Sequence, residues 1–243
     1  MRIVTLSFDD GFKASNRKVA AVYEKFGLSA CFNVLAGAHL PGWSPPVESL
    51  RGLGDFGLWR ELLARGHEIM PHGFRHANKT KIPVEEAQDL TLRCLDVFEK
   101  ELPGFRRENA VYNFPFNAST AALEKWLPTV VRAFRTWGDA INPMPSGALV
   151  KLTCSAFGPE NCEADLNKWI DALFARPSGW LIYNTHGVDG EGWGPIASAY
   201  LERLIDRLLS KADVHVLPAG RALMMAASGA VGPVESERTS SQS

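Results

Sequence analysis

The sequence predicts an α/β protein, a single-domain barrel of seven or eight mostly parallel strands. Three observations predict it. Short apolar segments of strand length alternate with amphipathic helical segments along the chain, the mark of repeated βα units. The number of such strands, seven or eight, favours a barrel over an open sheet. Residues suited to chemistry fall at the downstream ends of those strands, where barrels gather their active sites. A length of 243 residues fits one such domain.

The elements follow in order. Residues 2–8 are an apolar first strand. Residues 15–26 are a helix with Val19, Val22, Tyr23 and Phe26 on one stripe and Gly27 as its stop. Residues 30–35 form a second strand. Residues 40–54 are rich in Gly and Pro and read as an irregular loop, either shaping a substrate site or inserted at the surface. A helix over 55–65 ends at Gly66, and a short strand over 68–70 runs into Pro71 and His72. Residues 83–100 are the clearest helix, with Pro83 at its start, Glu85 and Glu86 in the first turn, and Ala87, Leu90, Leu95 and Phe98 along one face. Strands are expected over 110–114, 130–135 and 148–153. A helix over 163–174, a strand over 180–185, a helix over 197–209, a strand over 214–217 and a short helix over 219–226 complete the domain, placed at 1–227. The tail 228–243 is small and polar and is expected to be disordered.

Composition narrows the function. A net charge of -1, with no basic run, gives no electrostatic reason to expect nucleic acid. No apolar run reaches the roughly 18 residues of a membrane span, and the N-terminus lacks the segments of a signal peptide. The expected location is the cytoplasm. Cys31, Cys94, Cys154 and Cys162 show no CxxC spacing. A Cys154–Cys162 bridge is conceivable, but four free thiols suit a reducing compartment better.

Four segments carry chemistry. Ser7-Phe8-Asp9-Asp10-Gly11 closes the first strand. Adjacent carboxylates are costly to bury unless a cation pairs with them, although Asp-Asp-Gly also suits a tight acidic turn. His72-Gly73-Phe74-Arg75-His76 presents two imidazoles four apart, a spacing that puts both on one face of a helical turn and towards one ion. Together these segments supply an Asp-His-His set with positions left open for water and substrate. Tyr183-Asn184-Thr185-His186-Gly187 closes a late strand and offers His186 as a general acid. Asn113-Phe114-Pro115-Phe116-Asn117 closes another, with Pro115 fixing the backbone and Phe116 available as an apolar wall.

The order of these segments resembles the polysaccharide deacetylase family, also described as the NodB homology domain or carbohydrate esterase family 4. Its Thr-Phe-Asp-Asp-Gly motif is similar to residues 7–11. Its His-Ser/Thr-x-x-His motif is similar to residues 72–76, with Gly73 in the hydroxyl position. Its Arg-x-Pro-Tyr/Phe-Gly and Leu-x-His motifs align with residues 113–117 and 184–186 in degraded form. The resemblance implies a distorted (β/α) barrel and a divalent metal, zinc first and cobalt, nickel or manganese as alternatives. It implies Asp10, His72 and His76 as ligands, Asp9 as base, His186 as acid, and the Phe116 N–H as an oxyanion donor. The implied activity is deacylation of an N-acyl sugar or oligosaccharide.

Departures from the pattern mark open questions. The motif-three arginine is Asn113, and Arg135 on the next strand is a candidate substitute cation. The fourth motif has no clean match; Trp137, Asp139 and Asn142 lie in its region, with Asp139 a candidate to orient His186. The motif-five leucine, part of an acetyl pocket, is Asn184. Trp193 is a candidate for stacking on a sugar face. The alternatives are a hydrolase of another C–N bond, such as a cyclic imide, ureide or formamide, and a non-catalytic carbohydrate-binding barrel.

Overall fold

β1 (Arg2–Phe8) is the axis of the molecule. Its whole length pairs in parallel with β8 (Gly179–Thr185), from Arg2 opposite Gly179 to Phe8 opposite Thr185. Its other edge is shared by two strands. β2 (Cys31–Val34) takes the C-terminal end at Ser7 and Phe8, and β9 (Val214–Val216) takes the N-terminal end at Arg2 to Val4. β3 (Glu68–Pro71) continues beyond β2. A second parallel sheet runs β4 (Val111–Asn113), β5 (Ala133–Trp137), β7 (Lys151–Cys154). The two-residue β6 (Ile141–Asn142) lies antiparallel on β8.

This computed structural model describes residues 1–38, 40 and 52–227. The expected loop over 40–54 falls mostly, and the expected tail over 228–243 wholly, outside those residues.

The two sheets meet at both edges. At one seam Ser155 bridges Tyr183, and the Asn184 N–H donates to the Ser155 carbonyl at 2.9 Å. At the other, between β3 and β4, the Asn113 side chain donates to the Pro71 carbonyl at 3.4 Å. Seven parallel staves result: β1, β2, β3, β4, β5, β7 and β8. The barrel is distorted because the β3–β4 seam carries no ladder and because β9 wedges in beside β2.

The helices are α1 (Lys13–Lys25), α2 (Phe56–Ala64), α3 (Val84–Glu101), α4 (Ala121–Trp126), α5 (Glu163–Phe174), α6 (Ser198–Leu209) and α7 (Ala219–Ala227). Alternation along each stave sorts side chains between two cores. Leu6, Phe8, Phe32, Leu181 and Tyr183 face the helices and pack with Val19 and Tyr23 of α1, Trp59 of α2, Phe98 of α3 and Ile205 of α6. Ile3, Val111, Ala133, Leu152, Trp180 and Ile182 point inwards, and Ala222 and Leu223 of α7 plug that end. Moving up the same staves, the interior turns polar: Ser7, Asn33, Asn113, Arg135 and Asn184 are all buried. A polar layer this deep survives only if its members satisfy one another, and it lies directly below the site.

The strand expected at 130–135 begins instead at Ala133, because Pro128 sits in a 3-10 turn over Leu127–Thr129. α4, capped by the Thr120 side chain, is too short to show a helical period. All four cysteines are free and buried. No helix among the described residues is long and apolar enough to cross a membrane.

Candidate metal centre and active site

At the end of β1 the Asp9 N–H continues the ladder to the Thr185 carbonyl at 3.0 Å. The chain then turns left-handed, with φ of 70° at Asp10 and 93° at Gly11. Gly11 is required here, since a Cβ would meet the Trp59 ring at 2.9 Å. The turn sends the two neighbouring carboxylates to different partners. Asp9 enters the polar layer, and Asp10 faces the histidines.

His72 and His76 do not lie on a helical turn, as their spacing predicts. The segment is a bend, and Gly73 takes a φ of 100°, which no helix accommodates. The bend still brings both rings to Asp10 Oδ1, His72 Nε2 at 3.3 Å and His76 Nε2 at 3.4 Å. One donor atom from each of the three residues lies within 4.8 Å of the others. His72 Nδ1 sits 3.1 Å from the Asn113 carbonyl. Donation there fixes the tautomer and leaves the Nε2 lone pair facing Asp10.

The donor set fits a divalent ion. Asp10 Oδ1 and His72 Nε2 are both buried with no hydrogen-bond partner, an arrangement that costs stability unless a cation fills it. Burial pushes the His76 imidazolium pKa down to about 4 against the pull of Asp10, so the ring is neutral and available as a ligand at ordinary pH. Burial raises the Asp10 carboxyl, but contact with His72 and the neighbouring histidine charges outweigh it and hold Asp10 ionised. Two imidazoles and one carboxylate with open positions form a typical catalytic zinc set.

Asp9 sits beneath this centre. Arg135 reaches it from β5 with both guanidinium nitrogens, Nη1 at 3.0 Å from Oδ1 and Nη2 against Oδ2. Nη1 also contacts Ser7 Oγ. Asn33 Nδ2 donates to Asp9 Oδ1 at 2.7 Å, and Asn113 Nδ2 donates to Asn33 Oδ1 at 2.8 Å. Burial alone would raise the Asp9 carboxyl, yet the charge of Arg135, then His72, and the Arg135 hydrogen bonds hold it well below the usual range. Asn113 and Arg135 are register partners on adjacent strands, so the cation stands one strand away from where the resemblance expects it. Neither side chain is exposed to a substrate: Asn113 is committed to Asn33, Val111 and Pro71, and Arg135 to Asp9 and Ser7.

His186 Nε2 lies 3.9 Å from Asp10 Oδ2, and its Nδ1 has no partner. Asp139 does not orient it. That carboxylate accepts from the Ile141 N–H and faces Arg176. Trp193 packs edge-on to the His186 ring at 5.6 Å and is 40% exposed. Pro115 leads into Phe116, which has a φ of 58°, a ring 4.4 Å from His76 and 56% exposure. Trp137 is exposed at the end of β5. Three aromatics therefore rim the centre. Sequence reasoning missed Ser7, Asn33 and Asn117, whose only signal is polarity at inward positions.

A family model described as polysaccharide deacetylase matches residues 1–128. Among solved structures, the carbohydrate esterase family 4 domain of a multidomain xylanase from the hindgut metagenome of Trinervitermes trinervoides superposes with a TM-score of 0.62 at 12% identity, covering 96% of this chain and 93% of that one. A peptidoglycan deacetylase from Bacillus subtilis gives 0.58 at 16% identity, covering 94% and 93%. A family 4 acetyl xylan esterase from Clostridium thermocellum in complex with a cobalt ion gives 0.60 at 16% identity, covering 92% and 91%. At these identities the likeness is one of fold. A search of curated proteins finds no match. The family match over more than half of the chain carries the assignment: this chain belongs to the polysaccharide deacetylase family.

Proposed function

We propose that this chain is a metal-dependent hydrolase that removes the acyl group from an N-acyl sugar or oligosaccharide. The observation that carries the reading is the set Asp10, His72 and His76 with an ionised Asp9 on one side and His186 on the other. An ion bound there would supply Lewis-acid polarisation and a lowered pKa for water, with zinc best suited to the donor set.

The chain's own groups do the remaining work. Asp9, held by Arg135 and Asn33, takes the proton of the attacking water. The Phe116 N–H donates to the oxyanion as it develops. His186 gives a proton to the departing nitrogen, without which an amine is a poor leaving group. Carboxylate base and imidazole acid have pKa values pushed apart, as acid–base pairs require. Phe116, Trp137 and Trp193 are exposed at the rim and offer apolar faces to a sugar ring.

The test is amine release from N-acetylated chito-oligosaccharide by protein stripped with chelator and then reloaded with zinc or cobalt. Activity that falls to background and returns with metal is expected. Full activity in the stripped protein contradicts the reading.

A further inference from the structure

We infer that the acyl group taken by this site carries a hydrogen-bond donor next to its carbonyl, as a hydroxyacetyl or carbamoyl group does, and not a bare methyl. This rests on the deacylase reading above and names the side of the substrate that reading leaves open.

The inference starts from Asn117 and Asn184. Asn184 occupies an inward position on β8, following Trp180 and Ile182 in the alternation and preceding His186 by two residues. It is 2% exposed. Asn117 directly follows Phe116, is 7% exposed, and has a φ of 49°. Asn117 Nδ2 donates to Asn184 Oδ1 at 3.1 Å, so the two amides span the gap between the proposed oxyanion donor and the proposed acid. Asn184 spends its own donors on the Thr185 carbonyl at 3.1 Å and the Ser7 carbonyl at 3.5 Å. Thr136 Oγ1 donates to the Asn117 carbonyl at 2.9 Å and pins the left-handed turn.

One polar atom of this pair is left over. Asn117 Oδ1 is buried and has no partner. A buried amide oxygen without a donor is unfavourable by roughly 1–3 kcal/mol, and an asparagine pair is a poor wall for a methyl group.

The placement decides what meets it. With the carbonyl oxygen on the Phe116 N–H and the departing nitrogen at His186, the remaining substituent of the acyl carbon falls between those two residues. Asn117 and Asn184 line that interval. A methyl leaves Oδ1 orphaned, whereas an O–H or N–H fills it. In the reaction, the oxygen of water joins the carbonyl carbon, the C–N bond breaks and the nitrogen keeps the proton. The acid released is hydroxyacetic acid, or carbamic acid that falls apart to carbon dioxide and ammonia.

The experiment uses zinc-loaded full-length protein and a chitosan tetramer acylated in parallel with acetyl, hydroxyacetyl and carbamoyl groups, reading kcat/KM for amine release. At least one donor-bearing substrate should exceed the acetyl one by tenfold or more, since sites built to bond a polar group reject analogues lacking it strongly. Asn117→Gly, which suits the φ of 49° and removes the acceptor, should bring the ratio towards one. Asn184→Leu should lower the ratio as a second route, with circular dichroism checking that each variant folds. Acetyl release as fast as or faster than both others overturns this inference and leaves deacylation standing. An unchanged preference in both folded variants also overturns it. No release from any of the three substrates overturns the deacylase reading, and this inference with it.

Discussion

Arg135 grips both oxygens of Asp9 from the neighbouring stave of the second sheet, although the two residues are 126 positions apart in the chain. Both are buried. The pair joins the two halves of the barrel under the metal set and holds Asp9 ionised where burial would otherwise protonate it.

Replacing Arg135 by Met leaves a buried carboxylate without its cation. Breaking such a pair costs about 3–5 kcal/mol, readable as a lower midpoint in urea. The Asp9 carboxyl then rises towards the ordinary range. Because the base acts deprotonated, the acid limb of kcat/KM should move to higher pH. Arg135→Lys keeps the charge but loses the fork, and should recover part of the stability with a smaller displacement of the limb.

The neutral His76 makes the metal-free protein sensitive to acid. Its folded pKa of about 4 lies below the unfolded value of 6.5, so the unfolded chain binds more protons between those values. Stability should therefore fall as pH drops from 6.5 to 4, by at most about 3 kcal/mol from this group. Chemical denaturation of stripped protein at pH 7.5, 5.5 and 4.5 gives the slope. His76→Asn should flatten it.

Lys79 offers a test remote from the proposed chemistry. Its ammonium is buried, donating to the Ala87 carbonyl at 2.9 Å and Thr91 Oγ1 at 2.8 Å, and burial pushes its pKa down to about 8 from 10.5. Here too the unfolded state binds more protons between the two values. The penalty is present at neutral pH and is relieved as pH climbs from 8 to 10.5. Lys79→Met should be at least as stable as wild type at pH 7 and lose that advantage by pH 10.

Gly73 holds the bend that aims both histidines. A Cβ there would approach Pro115 Cγ at 3.2 Å and the Arg75 carbonyl at 3.3 Å, and the φ of 100° is strained for any L side chain. Gly73→Ala should destabilise by about 1–2 kcal/mol and weaken zinc affinity in a competition titration with a chromogenic chelator. Unchanged affinity would show that the bend does not set the ligand geometry.

The metal set was legible because Asp10, His72 and His76 stand at strand ends, where position alone signals chemistry. Their geometry was legible only in outcome. Spacing of four points to a helical turn, while Gly73 makes the bend instead. Arg135 could be picked out as the nearest strand-end cation, but its partner required the register that sets it beside Asn113. Ser7 and Asn33 were invisible for a related reason: a polar residue in an apolar strand means nothing until the barrel closes and shows which face it occupies. The staves were legible as seven or eight, whereas α4 and β6 are too short for either period to register.

The central claim is that Asp10, His72 and His76 hold the ion while Asp9, one residue away, does the proton transfer. Measuring metal stoichiometry and amine release on one preparation of Asp9→Asn tests it most directly. Near-stoichiometric zinc with turnover reduced by about 10²–10⁴, the usual share of a general base, is the expected result. An Asp9→Asn protein that turns over at the wild-type rate, or one that has lost its zinc, contradicts the division of labour between the two carboxylates.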